Sequence, residues 1–187
     1  YREIPKPIRW YSIPNLMRYE RPQKGRLREH WQFNVDIFGD NSIYMELEVL
    51  QVAVDLFEQF GANQNHFEIK INNRKLIDHF FSSSLSLNED QSLKLYKLLD
   101  RVKKIKPEAF KEELAAFNLS GKTSELFSDY LKIGSHKELE DFLEKIEFPI
   151  EKWDYRSFFK VVNELGLSDY ILYDPTIVRG LDYYTGL

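Results

Sequence analysis

Arg18-Tyr19-Glu20-Arg21-Pro22-Gln23-Lys24-Gly25-Arg26-Leu27-Arg28-Glu29-His30-Trp31-Gln32-Phe33-Asn34-Val35-Asp36-Ile37-Phe38-Gly39 decides how the rest of the chain is read. It has the pattern of two strands joined by a basic loop. Side chains on a strand alternate faces with period two. Met17 and Tyr19 therefore point one way on the first strand, and Arg18 and Glu20 the other. On the second strand Trp31, Phe33, Val35 and Ile37 alternate with Gln32, Asn34 and Asp36. One face is apolar and suited to a core. The other carries Arg18, Glu20, Gln32, Asn34 and Asp36 on a shared floor. In the loop, Pro22 and Gly25 interrupt the ladder and favour a turn. From Arg18 to His30 there are five Lys/Arg against two Glu, in a chain of net charge −4. The pattern fits an ordinary half-exposed hairpin. Cations, carboxylates and an amide on one face, beside a basic loop, also suit a polyanionic ligand with a polar head group.

Working outward, Ile8–Tyr11 opens the first strand, and Pro14-Asn15 predicts a bend or bulge before Leu16. Beyond Gly39, Ile43, Leu47, Leu50, Val54 and Phe57 recur at helical spacing, and Gly61 is placed to end that helix. Glu46 and Glu48 read as solvated surface. His66–Asn72 alternates as a strand, the Asn72-Asn73 corner reads as turn and cap, and Leu76–Phe81 as a short helix. From Ser82 to Leu167 the pattern is helical throughout. Asn88 and Ser135 open capping boxes, Pro107 suits a first turn, Ser120 could cap, and Gly166 closes a last helix that includes Trp153. Lys97, Arg101, Lys103, Lys104 and Lys106 form a basic cluster, either a solvated helix face or an RNA contact. Ile171–Tyr173 and Thr176–Tyr183 return to strand character, with Asp174-Pro175 as a turn. That strand is expected to rejoin the sheet holding residues 8–38.

Composition narrows the class. A chain of 187 residues with 43% hydrophobic and 30% charged residues can bury a real core. No apolar run is long enough to span a bilayer, and no secretory or transit pattern opens the chain. Cysteine is absent, which excludes a disulfide framework and cysteine-ligated metal. Mild acidity argues against a general nucleic-acid coat, so RNA contact would use local patches. Both ends read as cuts in a longer protein.

The stretch RYERPQKGRLREHWQF resembles the second signature motif of class II aminoacyl-tRNA synthetases, in the form of the histidyl-tRNA synthetase family. Val178–Gly186, VRGLDYYTG, is similar to the segment peculiar to that family. The resemblance is sharp over residues 9–39 and 171–186 and recognisable at Ile69–Lys75. It implies an α+β fold: a partial antiparallel-sheet class II catalytic core from residues 1–81 and 169–187, with a helical domain inserted at 82–168. It implies activation of histidine by ATP, as its Mg2+ complex, and transfer to tRNA(His), by a cytoplasmic homodimer without membrane attachment.

The resemblance also assigns residues. Arg18 and Arg179 would hold the α-phosphate from opposite sides as catalytic groups. Glu20 would fix the adenine amino group, Arg26 would reach the outer phosphates, and His30 stands where phenylalanine usually stacks on adenine. Gln32, Asp36, Tyr183 and Tyr184 would surround histidine. Arg28, Lys103, Lys104 and Lys106 would touch tRNA. No resident metal site is implied. Asn34 and Asp36 replace a frequent glycine and glutamate. The family's first motif would lie upstream of Tyr1, and its third motif and anticodon-binding domain beyond Leu187, so the site here would be partial. The alternatives are a non-catalytic paralogue, such as the regulatory subunit of ATP phosphoribosyltransferase or the synthetase-like domain of a stress kinase, and a plain RNA-binding module. Arg179, Tyr183 and Tyr184 favour the enzyme over the paralogue.

Overall fold

A computed structural model describes residues 4–19 and 21–178. Its contacts divide the chain into two compact units, Tyr1–Leu56 and Phe57–Leu187.

The first unit is built on one long antiparallel hairpin. Strand β1 (Ile8–Ser12) pairs with β4 (Asn34–Phe38), and β2 (Asn15–Met17) with β3 (Glu29–Trp31). Ser12 lies opposite Asn34 and Asn15 opposite Trp31, so two residues on each side span the gap. The interruption expected at Pro14 is therefore a break in the ladder, with no residue inserted. Proline has no N–H to give, but its carbonyl still accepts from Gln32 N at 3.1 Å. The tip closes at Gln23–Arg26, which exchange backbone bonds of 3.1 and 2.8 Å around Lys24-Gly25. Gly25 sits at φ +78°, where a side chain would be strained although nothing crowds its Cβ position.

Helix α1 (Ile43–Gln59) follows. Leu47 and Val54 on its apolar stripe are buried, and Arg9 of β1 forks onto Glu48, with its second arm at 2.8 Å. The helix ends at Gly61 (φ +83°), as expected, with Ala62 N reaching back to Phe57 O at 3.0 Å. One expectation needs correction. The apolar face of the hairpin is not a covered core face along its length: Met17 is 82%, Trp31 70% and Phe33 42% exposed.

In the second unit, β5 (Ile69–Ile71) and β6 (Ile171–Tyr173) pair in parallel. A parallel pair needs a crossover, and here it carries the whole helical run: α2 (Arg74–His79), α3 (Glu89–Arg101), α4 (Pro107–Ala115), α5 (Gly121–Lys132), α6 (His136–Lys145) and α7 (Tyr155–Glu164). One wide turn, Phe80–Ser84, extends α2 and sets Phe80 and Phe81 fully inside. The Phe80 ring meets Tyr130 at 4.8 Å and Phe142 at 5.2 Å, joining α5 and α6 to that turn. Leu95 and Leu99 of α3, Phe127 of α5, Leu139 of α6 and Phe158 of α7 complete the core.

Caps follow the sequence unevenly. Asn88 and Gln91 form the reciprocal box, at 2.9 and 3.0 Å. Asn73 caps α2 through Leu76 N at 3.2 Å. Ser135 accepts from Glu138 N at 3.2 Å, but Glu138 returns to Gly134 N at 2.9 Å rather than to Ser135. Ser120 makes no cap bond; its hydroxyl meets Thr123 Oγ1 at 3.2 Å. Trp153 lies before α7, whose cap is Asp154, accepting from Ser157 N at 3.1 Å. Two strands are shorter than expected. Residues 63–66 form a turn held by Asn63, whose side chain takes Asn65 N at 2.9 Å, so the ladder starts only at Ile69. The returning strand β6 pairs with β5, not with residues 8–38, and 176–178 is not strand.

Candidate functional site

The hairpin register decides which side chains share a face. Ser12 faces Asn34 and Leu16 faces His30, and Arg18 N donates to Arg28 O at 2.8 Å. Alternation then puts Arg18, Arg28, His30, Gln32, Asn34 and Asp36 on one side of the hairpin. Of the polar floor expected from the sequence, this brings together Arg18, Gln32, Asn34 and Asp36, with Arg28 and His30 on the same side. Arg26 stands at the tip.

The floor is wired by hydrogen bonds. Gln32 Nε2 donates to Asn34 Oδ1 at 2.6 Å, and Asn34 Nδ2 donates to Ser12 Oγ across the strands at 3.3 Å. That row fixes the amide of Gln32 with its carbonyl oxygen left to accept. Asp36 follows two residues on and is exposed. Arg18 Nη2 lies 2.6 Å from His30 Nε2. A guanidinium has only donors, so Nε2 must accept and the ring must be neutral with its proton on Nδ1. His30 Nδ1 is buried and has no partner among the described residues. The resemblance sets His30 only where phenylalanine usually stacks on adenine; nothing in residue order reveals the contact with Arg18, which arises because antiparallel pairing puts positions 18 and 30 diagonally across one face. Glu20, Arg179, Tyr183 and Tyr184 lie outside the described residues.

The basic cluster of the helical run is largely engaged by carboxylates. Arg101 reaches Glu113 at 2.6 Å, Lys104 reaches Asp100 at 3.2 Å, and Lys103 reaches Asp174 at 2.5 Å. Burial pushes the Asp174 carboxyl up, but Lys103 and two bonds from Thr176 together hold it below the usual carboxylate range. Lys106 begins α4 as its cap residue.

Asp174 belongs to a second polar feature that the sequence did not announce. Pro175 O accepts from Asn72 Nδ2 at 3.2 Å and from the Tyr130 hydroxyl at 3.1 Å. Asn72 also donates to Tyr130 at 3.3 Å. Desolvation raises the Tyr130 phenol to about 12, so it stays protonated and able to donate. This network holds the turn that leads into Val178. Among the described residues no group of three or more His, Asp or Glu is placed to hold a metal ion. No helix there is long and apolar enough to cross a membrane.

Comparison with known proteins gives the family. The chain matches the family described as Histidyl-tRNA synthetase over residues 2–187, and it belongs to that family. The histidine--tRNA ligase of Leptospira biflexa is 41% identical over 99% of this chain and 42% of its own length. The chloroplastic/mitochondrial histidine--tRNA ligase of Arabidopsis thaliana is 30% identical over 100% of this chain and 38% of its own. The chain thus spans about two fifths of the curated relatives it matches. The crystal structure of histidyl-tRNA synthetase from Nostoc sp. PCC 7120 superposes with a TM-score of 0.79 at 26% identity, covering 98% of this chain and 43% of that one. A Bacillus halodurans C protein described as an ATP phosphoribosyltransferase regulatory subunit/histidyl-tRNA synthetase superposes at 0.83 with 20% identity, covering 99% and 47%, which shows the shared α+β fold.

Proposed function

We propose that the chain supplies part of the adenylate-forming site of a histidine–tRNA ligase. In this reading an oxygen of the histidine carboxylate attacks the α-phosphorus of ATP, the bond to the β-phosphate oxygen breaks, and pyrophosphate leaves. The histidyl group then passes from AMP to the terminal ribose hydroxyl of tRNA(His). Two anions must approach in the first step, so cations aimed at the developing charge lower its barrier. Arg18 is suited to this because its planar fork meets phosphate or carboxylate in two places. Arg179 takes the opposite side, Glu20 the adenine amino group, and Arg26 the outer phosphates of ATP, which enters as its Mg2+ complex. Gln32, Asp36, Tyr183 and Tyr184 accept from and orient the imidazole of the substrate. Residues 82–168 lie toward the acceptor arm, with Arg28, Lys103, Lys104 and Lys106 as phosphate contacts. The partner is a second copy in a homodimer, and the compartment is the cytoplasm.

The observation that carries the reading is the single hairpin face bearing Arg18, Gln32 and Asp36, in a chain matched to the family over residues 2–187. Histidine-dependent exchange of labelled pyrophosphate into ATP, measured on the longer protein that contains this chain, tests it. Exchange with histidine and not with other amino acids is expected. Absence of exchange, with histidine binding intact, would favour the regulatory-paralogue reading instead.

A further inference from the structure

We infer that His30 is a positioning residue for Arg18: its neutral ring, accepting at Nε2, aims the guanidinium that the proposed reaction uses. The inference rests on the reading of Arg18 given under Proposed function. Three observations carry it. Arg18 Nη2 and His30 Nε2 are 2.6 Å apart, a hydrogen-bond distance. His30 sits on β3, and its backbone pairs opposite Leu16, so strand pairing holds the ring beside the last residues of the first strand. The other ring nitrogen, Nδ1, is buried with no partner among the described residues. With Nδ1 enclosed, Nε2 is the ring nitrogen that meets another side chain.

An arginine side chain has many rotamers to lose when it binds a phosphate. A fixed acceptor on one arm removes part of that loss before substrate arrives. It also leaves the guanidinium's remaining N–H groups directed away from the ring. Arg18 is followed after one residue by Glu20, and its own backbone N–H is already committed to Arg28 O at 2.8 Å. The backbone at the arginine, just past β2, is therefore held, and the side chain is the part that needs aiming. A ring that merely stacked on adenine would need no contact with Arg18.

The test separates positioning from stacking. In the longer protein, His30→Phe keeps a flat ring and loses the acceptor, while His30→Gln keeps an acceptor and loses the ring. His30→Phe is expected to lower kcat for histidine-dependent pyrophosphate exchange by roughly tenfold, the scale of a modest misplacement of a catalytic group, and His30→Gln to restore most of it. In an Arg18→Ala background, His30→Phe should have no further effect, because His30 acts through Arg18. Equal kcat for His30→Phe and the parent, or a full additive loss in the Arg18→Ala background, would overturn the inference. Nitrogen-15 NMR of the histidine rings in the protein without substrate gives a reading independent of activity. The tautomer with its proton on Nδ1 is expected at His30, and one protonated on Nε2 would remove the contact. A parent without exchange but with the Nδ1 tautomer would defeat the proposed reaction, and leave the Arg18–His30 geometry standing.

Discussion

Tyr130→Phe isolates one hydroxyl in the middle of the second unit. The ring is fully buried against Phe80 and Phe142, and phenylalanine keeps it, so no cavity opens. What is lost is one bond donated to Pro175 O at 3.1 Å and one accepted from Asn72 at 3.3 Å. The Tyr173 hydroxyl, 3.5 Å away, is at the edge of bonding distance and is discounted. Pro175 O keeps its bond from Asn72 at 3.2 Å, so no backbone carbonyl is orphaned. Two neutral bonds at about 0.5–1.5 kcal/mol each, with the longer one at the low end, give about 1–2 kcal/mol. At about 2–4 °C per kcal/mol for a chain of this size, the thermal midpoint should fall by about 2–8 °C. Circular dichroism at 222 nm on wild type and variant reads it. Asn72→Ala and the double variant complete a cycle, in which a coupling of about 0.5 kcal/mol or more is expected for groups in direct contact. A midpoint within about 1 °C of wild type, or strict additivity in the cycle, would refute the view that this network ties α5 to the turn after β6.

Phe80→Ala should be far more damaging, at about 3–5 kcal/mol, since the side chain is fully buried among aromatic rings; urea unfolding checks it. The His136 pKa is lowered, chiefly by burial and in spite of its bond to Ile171 O. The unfolded chain then binds that proton more readily, so stability present above about pH 6.5 is lost as pH falls toward the folded-state value. The thermal midpoint should drop across that window, and His136→Gln should flatten the drop. Asp36→Asn keeps shape and removes charge from the polar floor; in the longer protein it should weaken histidine more than ATP in isothermal titration, and an unchanged histidine affinity would count against the pocket assignment.

Much of this was legible from residue order because local chemistry decides it. The alternation from Trp31 to Ile37 fixed which side chains share a face, since a strand has only two. Asn88, Pro107, Gly61 and Gly166 marked helix ends through rules that involve only nearby backbone, and the hairpin tip needed a residue tolerant of positive φ at Gly25. The resemblance read in Arg18–Phe33 and Val178–Gly186 agrees with the family match over residues 2–187.

What tertiary structure alone decided is which distant groups meet. Residue order offers no reason for Ile171–Tyr173 to choose Ile69–Ile71 in parallel rather than the hairpin, because three-residue strands carry little register information of their own. Tyr130 looks like one more apolar helix position until Asn72 and Pro175, 58 and 45 residues away, are brought to its hydroxyl. Lys103 looks like a solvated cation until the crossover closes and sets Asp174 beside it. His30 looks like a flat ring until antiparallel pairing carries it to Arg18. Patterning depends on the period of the backbone and is written in neighbours; partner choice depends on how the core closes, and is settled only when the whole chain folds.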